Sequence, residues 1–233
     1  MNDTFDWGIT ANTEDGWFPR AVKDEIFNLK IYEKFFTVEP GDVVFDIGAS
    51  VGPFTHSVRN NQAKAIYCFE PHPELFKTLC RNVSREGVYC INKAILDKDG
   101  EQYTYGLFNP ELGGMKLEEN YKLVPSTSFQ TFVEKNEIDQ IDFMKIDAEG
   151  GEYDIFTEEN FGWIKKNVKK IVGEWHLVDE EQKAQFKKFR DLYLKYLTKF
   201  EVYAINDVDI KDNLWTDGWI DYYGIITLYI DNR

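Results

Sequence analysis

A chain of 233 residues with 43% hydrophobic and 16% aromatic side chains holds enough apolar surface for one full core and lies outside the low-hydrophobicity disordered class. Its formal net charge of −14 and pI near 4.7 count against nucleic acid, which is bound through Lys and Arg displacing phosphate counterions, and against anionic membrane surfaces. Cys68, Cys80 and Cys90 lack C-x-x-C spacing and fall in or beside apolar segments, so they read as reduced core residues in a cytoplasmic setting. The start, MNDTFDWG, has neither the basic residues nor the apolar run of a signal peptide, and no stretch approaches membrane-spanning length.

Residues 1 to 20 crowd Trp7, Trp17 and Phe18 among glycines and Pro19 and read as an irregular arm. Val22, Ile26, Leu29 and Phe36, flanked by Phe27 and Tyr32, predict a helix over 21 to 36, closed by Pro40-Gly41. Val43, Val44 and Phe45 then make a short run of the kind that forms a strand buried on both faces, ending at Asp46. A helix from Pro53 to about Asn61 follows, then a strand over 65 to 70 and a helix over 73 to 85 with Leu75, Phe76, Leu79 and Val83 on one side. A strand over 88 to 92 completes an alternation that predicts a parallel sheet with right-handed crossovers.

The rhythm breaks between Ile95 and Lys122, where an alternating stretch, Gln102 to Leu107, precedes NPELGGMKLEEN, which has no period. Such a segment suits a lid over a substrate or a plain surface insertion. A short helix over 128 to 136, a strand over 141 to 147, a helix over 154 to 167 and a strand over 171 to 175 restore the pattern. A long helix over 180 to 198 repeats Phe186, Phe189, Tyr193 and Leu197 at helical spacing, the mark of a core face. The last two strands, over 201 to 205 and 223 to 230, enclose a loop with Trp215 and Trp219 and can pair antiparallel. The expectation is one α/β domain of about seven strands with helices on both faces, residues 1–40 adding an arm and helix to the domain completed by 41–233.

Ligands of open α/β sheets gather at the carboxyl ends of the strands, near the point where strand order reverses. Those ends supply Asp46, Glu70, Asn92, Asp147 and Glu174. Gly48 and Gly52 bracket a tight strand-to-helix turn, through Ala49 and Ser50, where missing side chains let backbone N–H groups approach a ligand. Glu70 stands about twenty residues further on, where a carboxylate accepts hydrogen bonds from both hydroxyls of an adenosine ribose. Beside Pro71 the same acid also suits the cap of the next helix. The absence of G-x-G-x-x-G counts against a nicotinamide or flavin dinucleotide.

In K-I-D-A-E-G-G-E, Lys145 and Asp147 alternate onto one face of a strand. A lysine in an apolar strand needs a partner, and Asp147, Glu149 and Glu152 are the candidates, with Gly150 and Gly151 allowing a sharp turn between them. Asp147 is placed either to orient an acceptor hydroxyl or take its proton, or to hold the turn in an ion-pair network. Glu174 and His176 end the following strand on one face, and His176, with an ordinary pKa near neutrality, is a second candidate base. Asp147, Glu149, Glu174 and His176 also make a donor set for a divalent cation, but no ligand-spacing motif accompanies them and no metal is assigned.

The segments VVFDIGASVGPFT, CFEPHPELFKTLCRNV, INKAILD, IDFMKIDAEGGEYDIF and IVGEWH, in this order, resemble the successive motifs of the FkbM-type S-adenosylmethionine-dependent methyltransferases. The similarity runs from about Val43 to His176. It implies a class I methyltransferase (Rossmann-like) fold, a seven-stranded mostly parallel sheet with the last strand antiparallel, and S-adenosyl-L-methionine as cofactor. It also implies O-methylation of a small polar acceptor, a sugar or glycan hydroxyl above all. Carried over by motif, Asp46, Gly48 and Gly52 meet the methionine end of the cofactor and Glu70 its ribose, with Ala49, Ser50 and Pro71 also in the cofactor-binding set; analogy with class I enzymes places Asn92, Ala94 and Ile95 near the adenine. Asp147 faces the sulfonium, with Lys145, Glu149 and His176 in the catalytic set. The arm and the 103 to 125 loop are expected over the acceptor, Trp7, Trp17, Tyr105, Phe108, Trp215 and Trp219 being placed to stack on a sugar. A nucleotide or dinucleotide-binding oxidoreductase and a non-catalytic cofactor-binding module are the alternatives, separable by NAD binding and by turnover; a homo-oligomer is compatible with either.

Overall fold

The computed structural model describes residues 3–4, 10–11, 22–104, 122–197, 199–204 and 207–233. Strand β1 (Val43–Ile47) leads through the glycine turn to α1 (Pro53–Val58), followed by β2 (Ala65–Phe69), α2 (Pro73–Val83) and β3 (Val88–Ile91). Next come β4 (Ala94–Leu96), β5 (Gly100–Thr104), β6 (Lys122–Ser128), α3 (Phe129–Lys135) and β7 (Ile141–Ile146). The chain continues with α4 (Glu152–Ile155), α5 (Glu158–Asn167), β8 (Val168–His176), α6 (Glu180–Leu192), β9 (Lys199–Ala204), β10 (Val208–Asp209) and β11 (Ile225–Asp231). Of the arm only a two-residue antiparallel pairing, Asp3–Thr4 with Thr10–Ala11, is described; the stacking roles expected of Trp7, Trp17, Tyr105 and Phe108 lie outside the described residues.

The main sheet has the order β10-β9-β11-β8-β7-β1-β2-β3. β1, β2, β3, β7 and β8 run parallel, and β11 lies antiparallel between β8 and β9, as the final pair was expected to do. Among the described residues the sheet has eight strands rather than seven. The extra one, β10, is a two-residue edge partner of β9, too short to carry a readable period.

Strand alternation sorts the core into two layers. Phe45, Ile47, Phe69, Met144, Ile146, Ile171 and Trp175 pack on one face with α3, α5 and α6, while Val44, Ile66, Cys68, Phe143 and Val172 face α1, α2 and the segment 26–38. The predicted core face of α6 holds: Phe186 and Phe189 are buried, Trp175 stacks on Phe189, and Phe186 meets Trp219 edge-on. Trp219 therefore belongs to the core and is no sugar platform; Trp215 is half-exposed.

Three helices differ from their sequence patterns. The one expected over 21 to 36 is a π-helical turn, Lys23–Asn28, and a 3-10 turn, Ile31–Glu33, separated by Lys30 at φ 50°. The helix expected over 154 to 167 is two, because Thr157 caps α5 by accepting the Asn160 N–H at 3.2 Å while Phe156 turns into the core. The helix from 180 stops at Leu192 before a 3-10 turn, Leu194–Tyr196. Part of the expected insertion is a second sheet, β4-β6-β5, hidden in the sequence by Pro125, which sits inside β6 opposite Glu101.

Candidate active site

Strand order reverses between β1 and β7, and register decides which side chains meet there. Asp46 of β1 sits beside Lys145 of β7 on one flank and Cys68 of β2 on the other. Lys145 Nζ lies 3.4 Å from Asp46 Oδ1 and 3.6 Å from Asp147 Oδ2, and donates to the Gly48 carbonyl at 2.7 Å. Burial works to strip the ammonium of its proton, but Asp46, Asp147 and Glu174 outweigh it and hold the group above its ordinary value. Of the three acids expected to pair with Lys145, Asp147 does so; Asp46 is the unforeseen partner. The Thr55 hydroxyl donates to Asp46 Oδ2 at 2.7 Å, whereas buried Oδ1 has its ion pair and no hydrogen bond.

The glycines are demanded by the protein's own packing. At Gly48, φ +75°, a Cβ would stand 1.7 Å from the Asp147 carbonyl oxygen, so the turn after β1 touches the loop after β7 backbone to backbone. At Gly52, φ +89°, a Cβ would meet Val83 and Leu79 of α2 at 2.7 and 2.8 Å. The N–H groups expected to approach a ligand are used internally: Gly48 and Ala49 donate to the Phe69 carbonyl at 3.0 and 2.9 Å, and Ser50 to Glu70 Oε2 at 2.9 Å. Ser50 itself is left-handed at φ 52°.

Glu70 follows β2 and is 5% exposed. Its Oε1 accepts the His72 N–H at 2.7 Å, just before α2, so the capping role and a ligand role converge on one carboxylate. Burial pushes its carboxyl up to about 7 against those backbone donors and Lys145. Asn92 spends its amide on the carbonyls of Glu70 and Pro71, at 2.8 and 3.0 Å, and so pins the loop. Ala94 is buried in the second sheet and Ile95 in the main core.

Beyond Lys145 the crevice is acidic. Tyr32, carried on the 3-10 turn before β1, sets its hydroxyl 3.1 Å from both Asp147 Oδ2 and Glu174 Oε1. One phenolic proton serves two carboxylates, and burial followed by Asp147 pushes the Glu174 carboxyl up to about 8. Nothing in the sequence distinguished Tyr32 from the other aromatics of its segment.

His176 stands between two more acids. Its Nδ1 lies 2.8 Å from Glu152 Oε1 and its Nε2 3.3 Å from Glu149 Oε2. Burial opposes its charge, but Glu152 foremost, then Glu149 and Asp147, raise its pKa to about 10, so His176 stays protonated near neutrality. Glu152, fully buried, also accepts the N–H groups of Ala148 and Gly150, both at 2.9 Å, and holds the loop whose Glu149 is left-handed at φ 53°. A cavity of about 470 Å³ lies apart from these acids, walled by Lys30, Glu33, His56 and Arg59.

A parallel sheet that reverses between β1 and β7, with β11 antiparallel between β8 and β9, a glycine turn after β1 and an acid after β2, defines the class I methyltransferase fold. The methyltransferase FkbM domain matches residues 46–200, and the chain belongs to that family. It is an S-adenosylmethionine-dependent methyltransferase, with S-adenosyl-L-methionine as its cofactor. Among curated proteins nothing matches. Among solved structures, the fibrillarin pre-rRNA processing protein of Methanococcus jannaschii is 15% identical over 91% of this chain and 76% of its own, with a TM-score of 0.49. Precorrin-6y C5,15-methyltransferase of Geobacter metallireducens is 13% identical over 95% and 92%, with a TM-score of 0.46. TrmK of M. capricolum, in complex with S-adenosylhomocysteine, is 14% identical over 89% and 68%, with a TM-score of 0.42.

The residues present suit that cofactor. Each Glu70 oxygen accepts one backbone N–H and keeps acceptor capacity for a ribose hydroxyl. Asp46 and Asp147, the two ion-pair partners of Lys145, supply negative charge that suits a sulfonium.

Proposed function

We propose that this enzyme methylates an oxygen of a small polar acceptor, a carbohydrate hydroxyl in the first place, at the crevice between β7 and β8. The observation that carries the reading is the pair of strand-end carboxylates, Asp147 and Glu174, joined through Tyr32 and backed by Lys145. The cofactor, when bound, supplies an electrophilic methyl with its leaving group built in, so the protein has little covalent chemistry to perform. What remains is to orient the acceptor oxygen and receive its proton, tasks typically worth 10²- to 10⁴-fold for a placed acid or base.

Asp147 is the residue assigned to the acceptor. Lys145 and Tyr32 hold its carboxylate from two sides, and part of its side chain, 27%, stays accessible. His176 is not assigned as the base, since both ring nitrogens already face carboxylates. Glu70 is assigned to the ribose, with Ser50 and His72 holding it in place. The net charge of −14 favours a neutral or cationic acceptor over nucleic acid, and no helix among the described residues is long and apolar enough to cross a membrane, which agrees with work in the cytoplasm on free acceptors.

The test is transfer of labelled methyl from S-adenosylmethionine to a panel of sugars, glycans and hydroxylated metabolites, run with wild type and Asp147→Asn. Ether-linked label on an oxygen, slowed at least a hundredfold by Asp147→Asn, supports the reading. Label on nitrogen or carbon only, or an unimpaired variant, overturns it.

A further inference from the structure

We propose that Asp147, Glu149 and His176 form a site for one divalent cation of the Mn²⁺ type at the acceptor end of the crevice. One carboxylate oxygen from each acid and a ring nitrogen of His176 lie within 4.8 Å of one another. An ion bound roughly 2.0 to 2.3 Å from such donors sets them roughly 3 to 4.5 Å apart, so small side-chain adjustments close the site. Two carboxylates and one imidazole suit Mn²⁺ and its borderline neighbours better than the all-oxygen shell of Ca²⁺.

The histidine is oriented as metal-binding histidines are. Glu152 faces Nδ1 at 2.8 Å and aims Nε2 at Glu149, so once the ion displaces the Nε2 proton to solvent the outer carboxylate steers a ligating imidazole. The same Glu152 binds the N–H groups of Ala148 and Gly150, so one buried residue positions the histidine and the loop that bears both acids. Tyr153 fixes the strand end by donating to the His176 carbonyl at 2.7 Å. Exposure rises from His176, 2%, through Asp147, 27%, to Glu149, 47%, which leaves a way in from solvent.

Charge is an independent pointer. Asp46, Asp147, Glu149, Glu152 and Glu174 converge on Lys145 and His176, and Lys145 is already shared between Asp46 and Asp147. A divalent ion brings that corner nearer neutrality. Three protein donors leave adjacent coordination positions open, and these suit neighbouring oxygens of one molecule, as in the vicinal diol of a sugar. This consequence, though not the ion site, rests on the hydroxyl-acceptor reading above.

The experiment is titration of the full chain with Mn²⁺, followed by the electron paramagnetic resonance signal of the free ion, with and without S-adenosylhomocysteine. Wild type should bind one Mn²⁺ per chain. Glu149→Gln should weaken binding at least tenfold, while Glu158→Gln, at an exposed helix start, should leave it unchanged. Glu149 is half-exposed, and an unaltered circular dichroism spectrum will show that its variant folds. Absence of a stoichiometric Mn²⁺, or equal binding by wild type and Glu149→Gln, overturns the proposal. No acceptor is needed, so failures separate: Mn²⁺ bound without transfer to any hydroxyl would sink the reaction, and transfer unaffected by EDTA with no Mn²⁺ bound would sink the site.

Discussion

At the end of β2, Glu70 combines 5% exposure with a carboxyl raised from 4.5 to about 7, first by burial. Because the folded chain binds this proton more tightly than the unfolded chain, the stability it contributes is complete below the unfolded pKa and is lost as pH climbs through the folded one. At 1.36 kcal/mol per pH unit the whole span is about 3 kcal/mol, of which about 2 kcal/mol falls between roughly pH 5.5 and pH 8. Glu70→Gln is the clean perturbation, since glutamine is neutral throughout and keeps the shape. It loses one oxygen for the Ser50 and His72 N–H groups, a cost of about 1 to 3 kcal/mol that does not vary with pH.

Urea unfolding of both proteins across that window should therefore show the variant gaining about 2 kcal/mol on wild type from acid to alkaline pH. The same carboxylate, if it takes the ribose hydroxyls, must be ionised to do so. Wild type should then bind S-adenosylhomocysteine about thirtyfold less tightly at the acid end, and Glu70→Gln weakly at every pH. Unfolding curves that run parallel for the two proteins would refute the buried, raised carboxyl, and equal affinities would refute its part in cofactor binding.

Gly48→Ala should cost about 4 kcal/mol or more in thermal or chemical unfolding, because its Cβ meets the Asp147 carbonyl at 1.7 Å. Gly41→Ala, at φ +88° with nothing within 4 Å, should cost only about 1 to 2 kcal/mol. Lys145→Met, which leaves Asp46 buried without its cation, should lose about 3 to 5 kcal/mol in urea. Tyr32→Phe should keep S-adenosylhomocysteine affinity in calorimetry yet lower the rate of methyl transfer, since it removes only the hydroxyl between Asp147 and Glu174.

The strand-end acids were legible because a buried strand is a short apolar run, and a charge that ends one stands out against it. Asp46, Glu70, Asp147 and Glu174 all announced themselves that way. The Lys145–Asp46 pair did not, because it depends on which residue of β1 lies beside which of β7, a relation between segments 99 positions apart that neither encodes alone. The cap at Thr157 was readable, a threonine followed by Glu158 and Glu159, but the helical period across it masked the break. The glycines were read for the ligand and turned out to answer first to packing, since a close approach of one backbone to another leaves the same mark in a sequence as an approach of backbone to phosphate or nucleoside.

The segment before β1 shows how the site overrides local preference. An unbroken helix over 21 to 36 would have buried Leu29 with Ile26 and Phe36; instead Leu29 is 69% exposed. The break comes where Leu29 donates to the Asp24 carbonyl, five residues back, and Lys30 enters the left-handed region, a conformation that costs roughly 1 to 2 kcal/mol for such a residue. Exposing a leucine and straining a lysine both oppose folding, so a compensating contact is required. It is found one turn later, where Tyr32 is 4% exposed, packs edge-on against Phe54 and carries its hydroxyl to Asp147 and Glu174. Without that hydroxyl two carboxylates would face each other across the crevice with only Lys145 to divide between them and Asp46, so the irregularity of this segment is the structural condition for holding paired acids at the acceptor end.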